Sequence, residues 1–434
     1  MALHCVDQPP ALRPHASRRQ IDCRSAPPRA CRPVCEAGRL ALPRCLPHGP
    51  ARLLRRVLPH HRRDCRLGQS QRRRQARDLA DAAATRRRGG HRRYRRYLQY
   101  LRYFRYLQYR RHGAVGAPMS ESTANQPDAF ADRLPAGIRV FERGWLSANN
   151  VLLIDGDDTV LVDTGYVSHA QQTVALVEAA LDGKPLKLLI NTHLHSDHCG
   201  GNALLQRRWQ PRTWIPAAEA RAVAQWDVDA LSYRATGQQC DRFSFDALLE
   251  DGQSMRMGGL DWQVIAAPGH DPHAVMLFAP AEGILISGDA LWQHGFGVIF
   301  PELDGDSGFA EQDAVLRRIA ELDVRLVIPG HGSPFADVGA ALERARGRLD
   351  YLRADPRRNA VHALKVLVKF KLLEQRQMTR DALLQWMAQA PLLERVRLRH
   401  LDGAPLPGVM EQVLSGLVKA GAATVDGEMV RNSD

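Results

Sequence analysis

Beyond its first 118 residues the chain contains little cysteine and no long apolar run. Of its eight cysteines, only Cys199 and Cys240 follow Met119, and no apolar stretch there reaches the ~18 residues needed to cross a membrane. Two isolated thiols exclude a disulfide framework. No secretory signal follows Met119. These absences predict a cytoplasmic protein that has no membrane partner.

Lysine is missing altogether from residues 1–118, which contain 29 arginines and six acidic residues. That segment has a formal charge of +23 and the rest of the chain −10, so the total of +13 describes neither part. It repeats Arg-Tyr-Leu-Gln-Tyr at 96–100 and 105–109 and has no apolar periodicity to build a core. A nucleic-acid-binding arm and a transit peptide are two interpretations. We favour a third, in which GC-rich DNA upstream of a true start at Met119 is translated, so we expect residues 1–118 to be disordered or not genuine.

Metal-ligand residues follow the end of one apolar run. Residues 186–190 predict a buried strand, and His193, His195, Asp197 and His198 come within the next eight positions. Imidazole nitrogen and carboxylate oxygen are ligands that zinc prefers. In an extended loop His193 and His195 face the same way, whereas Asp197 and His198 turn toward a neighbouring point. One loop could therefore supply parts of two adjacent metal sites.

Three further candidates each follow a strand-like run and a turn that contains glycine. They are His270 after 262–266, Asp289 after 283–287 and His331 after 324–328. One histidine after such a turn would mean little, but four strand ends that each deliver His or Asp form a coherent set. A polar loop that is merely rich in histidine is the less favoured alternative.

These motifs resemble those of the metallo-β-lactamase superfamily over about residues 138–335. The family's His-x-His-x-Asp-His motif stands at 193–198, and an acidic residue before Thr-Gly matches Asp163. The later motifs match His270, Asp289 and His331 in chain order. The resemblance implies an α/β fold, the αββα sandwich, with a two-metal site along one edge.

The resemblance also implies a role for each candidate residue. One metal would be held by His193, His195 and His270, the other by Asp197, His198 and His331, with Asp289 as a bridge. Asp163 would orient a ligand from behind the first metal loop, and Asp197 would take up charge during the reaction. The cofactors would be two Zn²⁺, with Fe or Mn as alternatives. A bridging hydroxide would then attack a small acyl, thioester or lactone substrate, and the chain has no Gly-x-Ser-x-Gly nucleophile element.

Details of the motifs narrow the branch of the family. Asp289, where penicillin-destroying members commonly have cysteine, argues against an antibiotic substrate, and Trp292 replaces the tyrosine of the signal-quenching lactonases. Only 42 positions separate Asp289 from His331, too few for a large nuclease cap. The motifs look most like the glyoxalase II-like branch. A single-stranded nucleic-acid phosphodiesterase and an iron-dependent sulfur dioxygenase of the same fold are the alternatives.

The pattern changes to helices after Asp355-Pro356. We predict a catalytic domain at 119–351 and a second domain at 352–434, whose three helices and terminal hairpin resemble a winged helix. The predicted helices are 360–374, 379–388 and 410–420. Arg395, Arg397 and Arg399 form a weak basic patch, for which we favour a structural or substrate-pocket role over nucleic-acid binding. The expected partner is a small molecule, nucleic acid is not expected, and a homodimer is compatible with the sequence.

Overall fold

Two β-sheets packed face to face, with helices on both outer faces, form the larger part of the structure. The structure is a computed structural model that describes residues 134–433. The predictions for residues 1–118 lie outside this range. The sandwich confirms the predicted fold class.

The first sheet has six strands in the order β1-β2-β3-β4-β5-β6. Strands β1 to β3 are antiparallel, and β3 to β6 are parallel. In the β2–β3 hairpin Asp155 pairs with Asp158 around Gly156, as its turn residues predict. The strands are β1 (Ile138–Phe141), β2 (Asn150–Asp155), β3 (Asp158–Val162), β4 (Leu188–Ile190), β5 (Arg212–Pro216) and β6 (Ala247–Leu249).

The second sheet has five strands in the order β11-β10-β9-β8-β7. Neighbouring strands are antiparallel except β10 and β11, which are parallel, so the carboxyl ends of those two lie at the same edge. The strands are β7 (Ser254–Met257), β8 (Leu260–Ala266), β9 (Val275–Ala279), β10 (Ile284–Gly288) and β11 (Leu326–Pro329).

Alternating apolar residues let each sheet bury both of its faces. In β3, Val160 and Val162 point toward the second sheet and pack with Trp262 and Val264 from β8. Leu161 points the other way, into a cluster with helical residues. Because successive side chains of a strand face opposite sides, one apolar run serves both layers.

The helices of the sandwich cover the outer faces of the sheets. Helix α1 packs on the first sheet, and α7 and α8 pack on the second. The helices are α1 (Ala170–Leu181), α2 (Ser196–Cys199), α3 (Asn202–Trp209), α4 (Ala220–Gln225), α5 (Tyr233–Thr236), α6 (Pro301–Asp304), α7 (Phe309–Glu321) and α8 (Val338–Arg353). Short 3₁₀ helices lie at Val167–His169 and Ala217–Glu219. No helix among residues 134–433 is long and apolar enough to cross a membrane.

The C-terminal region is mainly helical, as predicted. Its helices are α9 (Pro356–Gln375), α10 (Arg380–Gln389), α11 (Pro391–His400) and α12 (Leu406–Lys419). A small antiparallel sheet joins β12 (Gln377–Thr379), β14 (Met429–Asn432) and β13 (Ala423–Asp426). The terminal hairpin is the predicted one, but α11 and β12 were not predicted. The winged-helix resemblance and the domain boundaries stay predictions.

Two arginines of the predicted basic patch form ion pairs in helix α11. Its Arg395 forms an ion pair with Asp304, and Arg397 pairs with Glu394. Arg397 also donates to the carbonyl oxygens of Gly403 and Ala404 at 2.6 and 2.8 Å. These bonds tie α11 to α6 and to the loop that follows, which agrees with a structural role.

The C-terminal helices pack on a segment of the sandwich. Val298 and Leu303 belong to the same buried cluster as the apolar side chains of α9 to α12. In α9, the buried Asn359 donates a hydrogen bond to the carbonyl oxygen of Ile299 at 2.9 Å. Residues 298–303, which we call the shared segment, therefore lie between the sandwich and the helices.

Candidate metal centre

Strand β4 ends at Ile190 and delivers the first ligand candidates to the edge of the first sheet. The chain continues as a loop, with a bend at Thr192, to His195, which is extended, and then turns into the single-turn helix α2, which contains Asp197 and His198. His193 and His198 are fully buried. Tyr233 holds the loop from one side, since its hydroxyl donates to the carbonyl oxygen of Leu194 at 3.0 Å.

Three imidazole nitrogens converge at one point, which we call the first cluster. His195 Nδ1 lies 3.1 Å from His193 Nε2 and 2.9 Å from His270 Nε2. These three residues are among the groups whose ligand atoms lie within 4.8 Å of one another and could hold a metal ion. The predicted first metal set is therefore assembled from β4 and from the turn after β8.

The ring nitrogens that face away from the first cluster determine the tautomers of these histidines. His270 Nδ1 lies 2.6 Å from the carbonyl oxygen of Val298, so that nitrogen carries the hydrogen. His195 Nε2 faces Asp271 Oδ2 at 3.3 Å, a carboxylate that accepts. Each ring in its neutral form then presents a lone pair to the first cluster. Such lone pairs repel one another at about 3 Å unless a cation lies between them.

Thr192 determines the tautomer of His193 in the same way. The Thr192 hydroxyl donates to Asp163 Oδ2 at 2.8 Å, and the ring nitrogen His193 Nδ1 lies 3.2 Å from that hydroxyl oxygen. The oxygen therefore accepts from Nδ1, and His193 Nε2 is left as the third lone pair of the first cluster.

A second cluster lies beside the first. Asp197, His198 and His331 form it, and their ligand atoms lie within 4.8 Å of one another. His331 Nε2 lies 3.1 Å from Asp197 Oδ2, and His198 Nε2 is a buried nitrogen without a hydrogen-bond partner among the described residues. An orphaned nitrogen that faces carboxylates suits a bound cation.

Asp289 stands between the two clusters. Its Oδ2 lies 3.4 Å from His270 Nε2, and its Oδ1 lies 3.4 Å from His198 Nε2. One carboxylate therefore reaches a member of each cluster, as a bridging ligand must. Gly330 makes room for it, because a Cβ at that position would collide with Asp289 Oδ1.

Asp163 supports the clusters from behind. Its Oδ2 accepts from His198 Nδ1 at 2.8 Å, and its Oδ1 accepts from the backbone N–H of Thr192 at 2.9 Å. Its φ of 58° is in the left-handed region, which aspartate tolerates better than most residues. A carboxylate that holds the far nitrogen of a histidine fixes the tautomer and orientation of that ring.

Asp271 has the same relation to His195, and the sequence analysis missed it. It follows His270 directly, and its other oxygen accepts from the backbone N–H of His273 at 2.7 Å. His273 in turn pairs with Glu219 at 2.8 Å. The signal that could have revealed Asp271 is its place beside a candidate ligand in the turn Asp-Pro-His.

Burial and charge together set the protonation of the centre. Although burial opposes ionisation of Asp289, His198 and His331 lower the pKa of its carboxyl well below the usual value. Burial, together with the neighbouring His195, lowers the pKa of His270 to about 4. Burial likewise lowers the pKa of His193 well below its usual value. At His198 burial also opposes the charge, but the carboxylates of Asp289 and Asp163 raise the pKa well above its usual value, so metal binding there would displace a proton. Neutral imidazoles and an ionised carboxylate are the forms that bind metal.

Backbone hydrogen bonds join the clusters across the two sheets. The segment before β2 donates from Ala148 N to the carbonyl oxygen of Asp197 at 2.9 Å and from Asn149 N to that of Gly330 at 2.7 Å. The Asn149 amide also donates to the carbonyl oxygen of Gly332 at 2.6 Å. This segment therefore sets the position of the His331 turn relative to the β4 loop.

Aromatic rings border both clusters. Trp145 stacks on His331, with centroids 5.4 Å apart and an interplanar angle of 10°. Trp292 packs edge-on against both rings and donates from its indole nitrogen to Asp289 Oδ1 at 3.2 Å. Phe300 contacts His195 and His270 on the other side, with centroids 5.0 and 5.5 Å away.

The structure brings together every site residue that the sequence predicted. The seven ligand candidates and the supporting aspartate meet at one edge of the sandwich: Asp163, His193, His195, Asp197, His198, His270, Asp289 and His331. The other contributors, the buried Asp271 and the aromatic border, come from segments whose sequence carries no motif.

Comparisons with known proteins identify the family of the chain. The profile of the metallo-beta-lactamase superfamily matches residues 143–331. A hydroxyacylglutathione hydrolase of Anaeromyxobacter dehalogenans is 31% identical over 224 residues, which cover 50% of this chain and 76% of the relative. The corresponding enzyme of Chromohalobacter salexigens is 31% identical over 185 residues, which cover 42% of this chain and 60% of the relative. A solved beta-lactamase domain protein from Burkholderia ambifaria is 24% identical with a TM-score of 0.42, covering 70% of this chain and 98% of that one. The chain belongs to the metallo-beta-lactamase superfamily.

Proposed function

We propose that this protein is a binuclear metal-dependent hydrolase of a small acyl, thioester or lactone-type substrate. The observation that carries the proposal is the convergence of three imidazole lone pairs beside a second His/Asp cluster, with one carboxylate in reach of both. The two named relatives are hydroxyacylglutathione hydrolases, which favours an acyl substrate. Zinc is the metal we favour.

The residues of each cluster fit such metals. The first cluster would hold one ion through three imidazole nitrogens, and the second would hold the other through two imidazoles and Asp197. Two bound dications would activate water as a nucleophile near neutral pH and polarise a carbonyl oxygen of the substrate. Asp289 would be shared between them.

The chain itself supplies orientation and proton handling. Asp163 and Asp271 hold the far nitrogens of His198 and His195, so these rings cannot rotate away from their clusters. Asp197 has a side chain that is 14% exposed, so it can meet a proton or a charge that develops on the substrate. These positions agree with the catalytic roles that we propose for Asp163 and Asp197.

The first experiment measures metal and activity together. Protein purified without added metal is analysed for zinc, iron and manganese by mass spectrometry. It is then assayed with thioester, lactone, phosphodiester and RNA substrates. We expect two metals per chain and turnover of a thioester or lactone.

Asp289→Ala is the variant that tests the bridge. We expect it to abolish turnover and to lose metal, because it removes the carboxylate that reaches both clusters. Asp261→Ala, which removes an exposed aspartate of β8, is the matched control and should keep both properties. Two metals and full activity in Asp289→Ala would contradict the binuclear proposal. Turnover of RNA alone, or oxygen consumption by an iron-loaded enzyme, would contradict the acyl substrate.

A further inference from the structure

Trp145 is an exposed aromatic side chain at the edge of the metal centre. Four large hydrophobic residues are exposed among residues 134–433, and the other three, Tyr351, Leu398 and Val418, lie on helices α8, α11 and α12. The Trp145 side chain is 45% exposed, which leaves on the order of 100 Å² of apolar surface in water. Apolar surface placed beside a polar centre commonly marks the place where a ligand binds.

The loop around Trp145 is held on both sides. Arg143 donates to Asn150 Oδ1 at 2.6 Å and to Thr173 Oγ1 at 2.8 Å. Leu146 is buried in a cluster that includes Phe370 of α9. The exposed indole is therefore a fixed part of the surface.

The position of the indole determines what would lie on it. One of its faces stacks on His331 of the second cluster, and its edge meets Trp292, which is hydrogen-bonded to Asp289. A substrate whose reacting carbonyl lies over Asp289 has its nearest substituent beside these two indoles. Trp145 and Trp292 thus form one continuous wall, which we call the indole wall.

The charges at the site favour an uncharged substituent. The carboxylates of the centre, Asp163, Asp197, Asp271 and Asp289, have only histidine as ion-pair partners within residues 134–433. No arginine or lysine of this range is ion-paired to them, and none stacks on Trp145 or Trp292. A phosphate or carboxylate on the substrate would therefore find no cationic side chain at the indole wall, whereas an apolar chain needs none.

We propose that the indole wall is a binding subsite for an apolar acyl chain, so that the substrate is a thioester or ester of a medium-length aliphatic or aromatic acid. This inference rests on the proposed hydrolase function and names its substrate class. Each methylene that leaves water gains at most about fourfold in binding. The exposed surface of Trp145 accommodates about three methylene groups, after which the gain levels off.

The test is a series of S-acyl-N-acetylcysteamine thioesters with acetyl, butanoyl, hexanoyl and octanoyl chains. We expect kcat/KM to rise about two- to fourfold for each of the first three or so methylenes beyond acetyl and to be flat between hexanoyl and octanoyl. Trp145→Ala should remove most of this rise, and Trp145→Phe should keep most of it. Tyr351→Ala, which removes an exposed aromatic residue of α8, is the matched control and should leave the series unchanged.

A second measurement separates this inference from the proposed function. Binding of acetohydroxamate and octanohydroxamate to the full-length protein is followed by tryptophan fluorescence. If no ester or thioester is hydrolysed but the octanoyl compound binds at least tenfold tighter and loses this advantage in Trp145→Ala, the hydrolase proposal fails and the subsite stands. If thioesters are hydrolysed at rates that do not depend on chain length, or if Trp145→Ala keeps the full dependence, the subsite is wrong.

Discussion

Asp163 and Asp271 should affect different metal sites and by different amounts. Asp163 accepts from His198 at 2.8 Å in a fully buried setting, whereas Asp271 faces His195 at 3.3 Å with its side chain 10% exposed. Loss of a group that holds a metal-binding histidine typically costs 10–100-fold in metal affinity. We therefore expect about 100-fold weaker binding at the second site for Asp163→Asn, with a smaller loss at the first site through Thr192 and His193. For Asp271→Asn we expect about tenfold weaker binding at the first site.

Asparagine is the suitable replacement at both positions. It keeps the size and an accepting oxygen but removes the charge, and at position 163 it tolerates the left-handed backbone. A general loss of folding is thus avoided, and far-ultraviolet circular dichroism checks this. Asp261→Asn is the control, because Asp261 is exposed on β8 and pairs with Arg256, away from both clusters.

The assay is a competition titration of Zn²⁺ against a chromophoric chelator, repeated with Co²⁺ and its visible spectrum. Each variant is also measured together with His270→Ala or His331→Ala, so that only one cluster remains intact. If Asp271→Asn weakens the site that remains in the His270→Ala protein, or if both aspartate variants weaken both sites equally, the assignment of each carboxylate to one cluster is wrong.

Three further outcomes are expected. Burial and Arg348 lower the pKa of His362 to about 3, so its contribution to stability is complete above about pH 6.5 and is lost as the pH falls toward 3. Between pH 7 and pH 5 the free energy of unfolding, measured with urea, should therefore fall by about 2 kcal/mol less in His362→Gln than in the wild type. An equal fall in both proteins would refute this. Gly330→Ala should displace Asp289 and halve the metal content, which elemental analysis measures. A normal metal content would refute the close packing of Gly330 against Asp289. Arg397→Ala should lower the melting temperature without creating or removing RNA binding at physiological salt, and binding tighter than about 10⁻⁶ M in wild type that is lost in the variant would overturn the structural role.

The sequence predicts the ligand candidates because they follow strand ends directly, and the sandwich follows from the family resemblance that their motifs carry. Strand β3 is apolar on both faces, and the ligand candidates follow strand ends directly, so topology alone brings them to one edge. Asp163 was predicted from its motif, and its hydrogen bonds to His198 and Thr192 agree with that role. Cys199, one of the two isolated thiols after Met119, is fully buried.

What the sequence did not predict depends on contacts between distant segments. Trp145 reaches His331 across 186 positions of the chain, and nothing in its local sequence indicates that contact. Helix α11 was not predicted, because its arginines alternate with Val396 and Leu398 and show no helical spacing. In the structure it is a helix, and Arg395 forms an ion pair with Asp304. Asp271 resembled an ordinary turn residue. In each case tertiary packing assigns a role that local spacing does not show.

We expect the shared segment to link metal binding thermodynamically to the packing of the C-terminal helices. The carbonyl oxygen of Val298 accepts a hydrogen bond from His270 Nδ1, and the side chain of Val298 lies in the core of the C-terminal helices. Asn359 of α9 donates to the carbonyl oxygen of the next residue, Ile299. Such linkage is reciprocal. If the docked helices raise the metal affinity of the first cluster by some factor, bound metal strengthens the docking of the helices by the same factor. Amide hydrogen exchange in α9 should therefore slow when metal is added. A substitution far out on α12 can accordingly act as a modulator of the metal centre without touching a ligand.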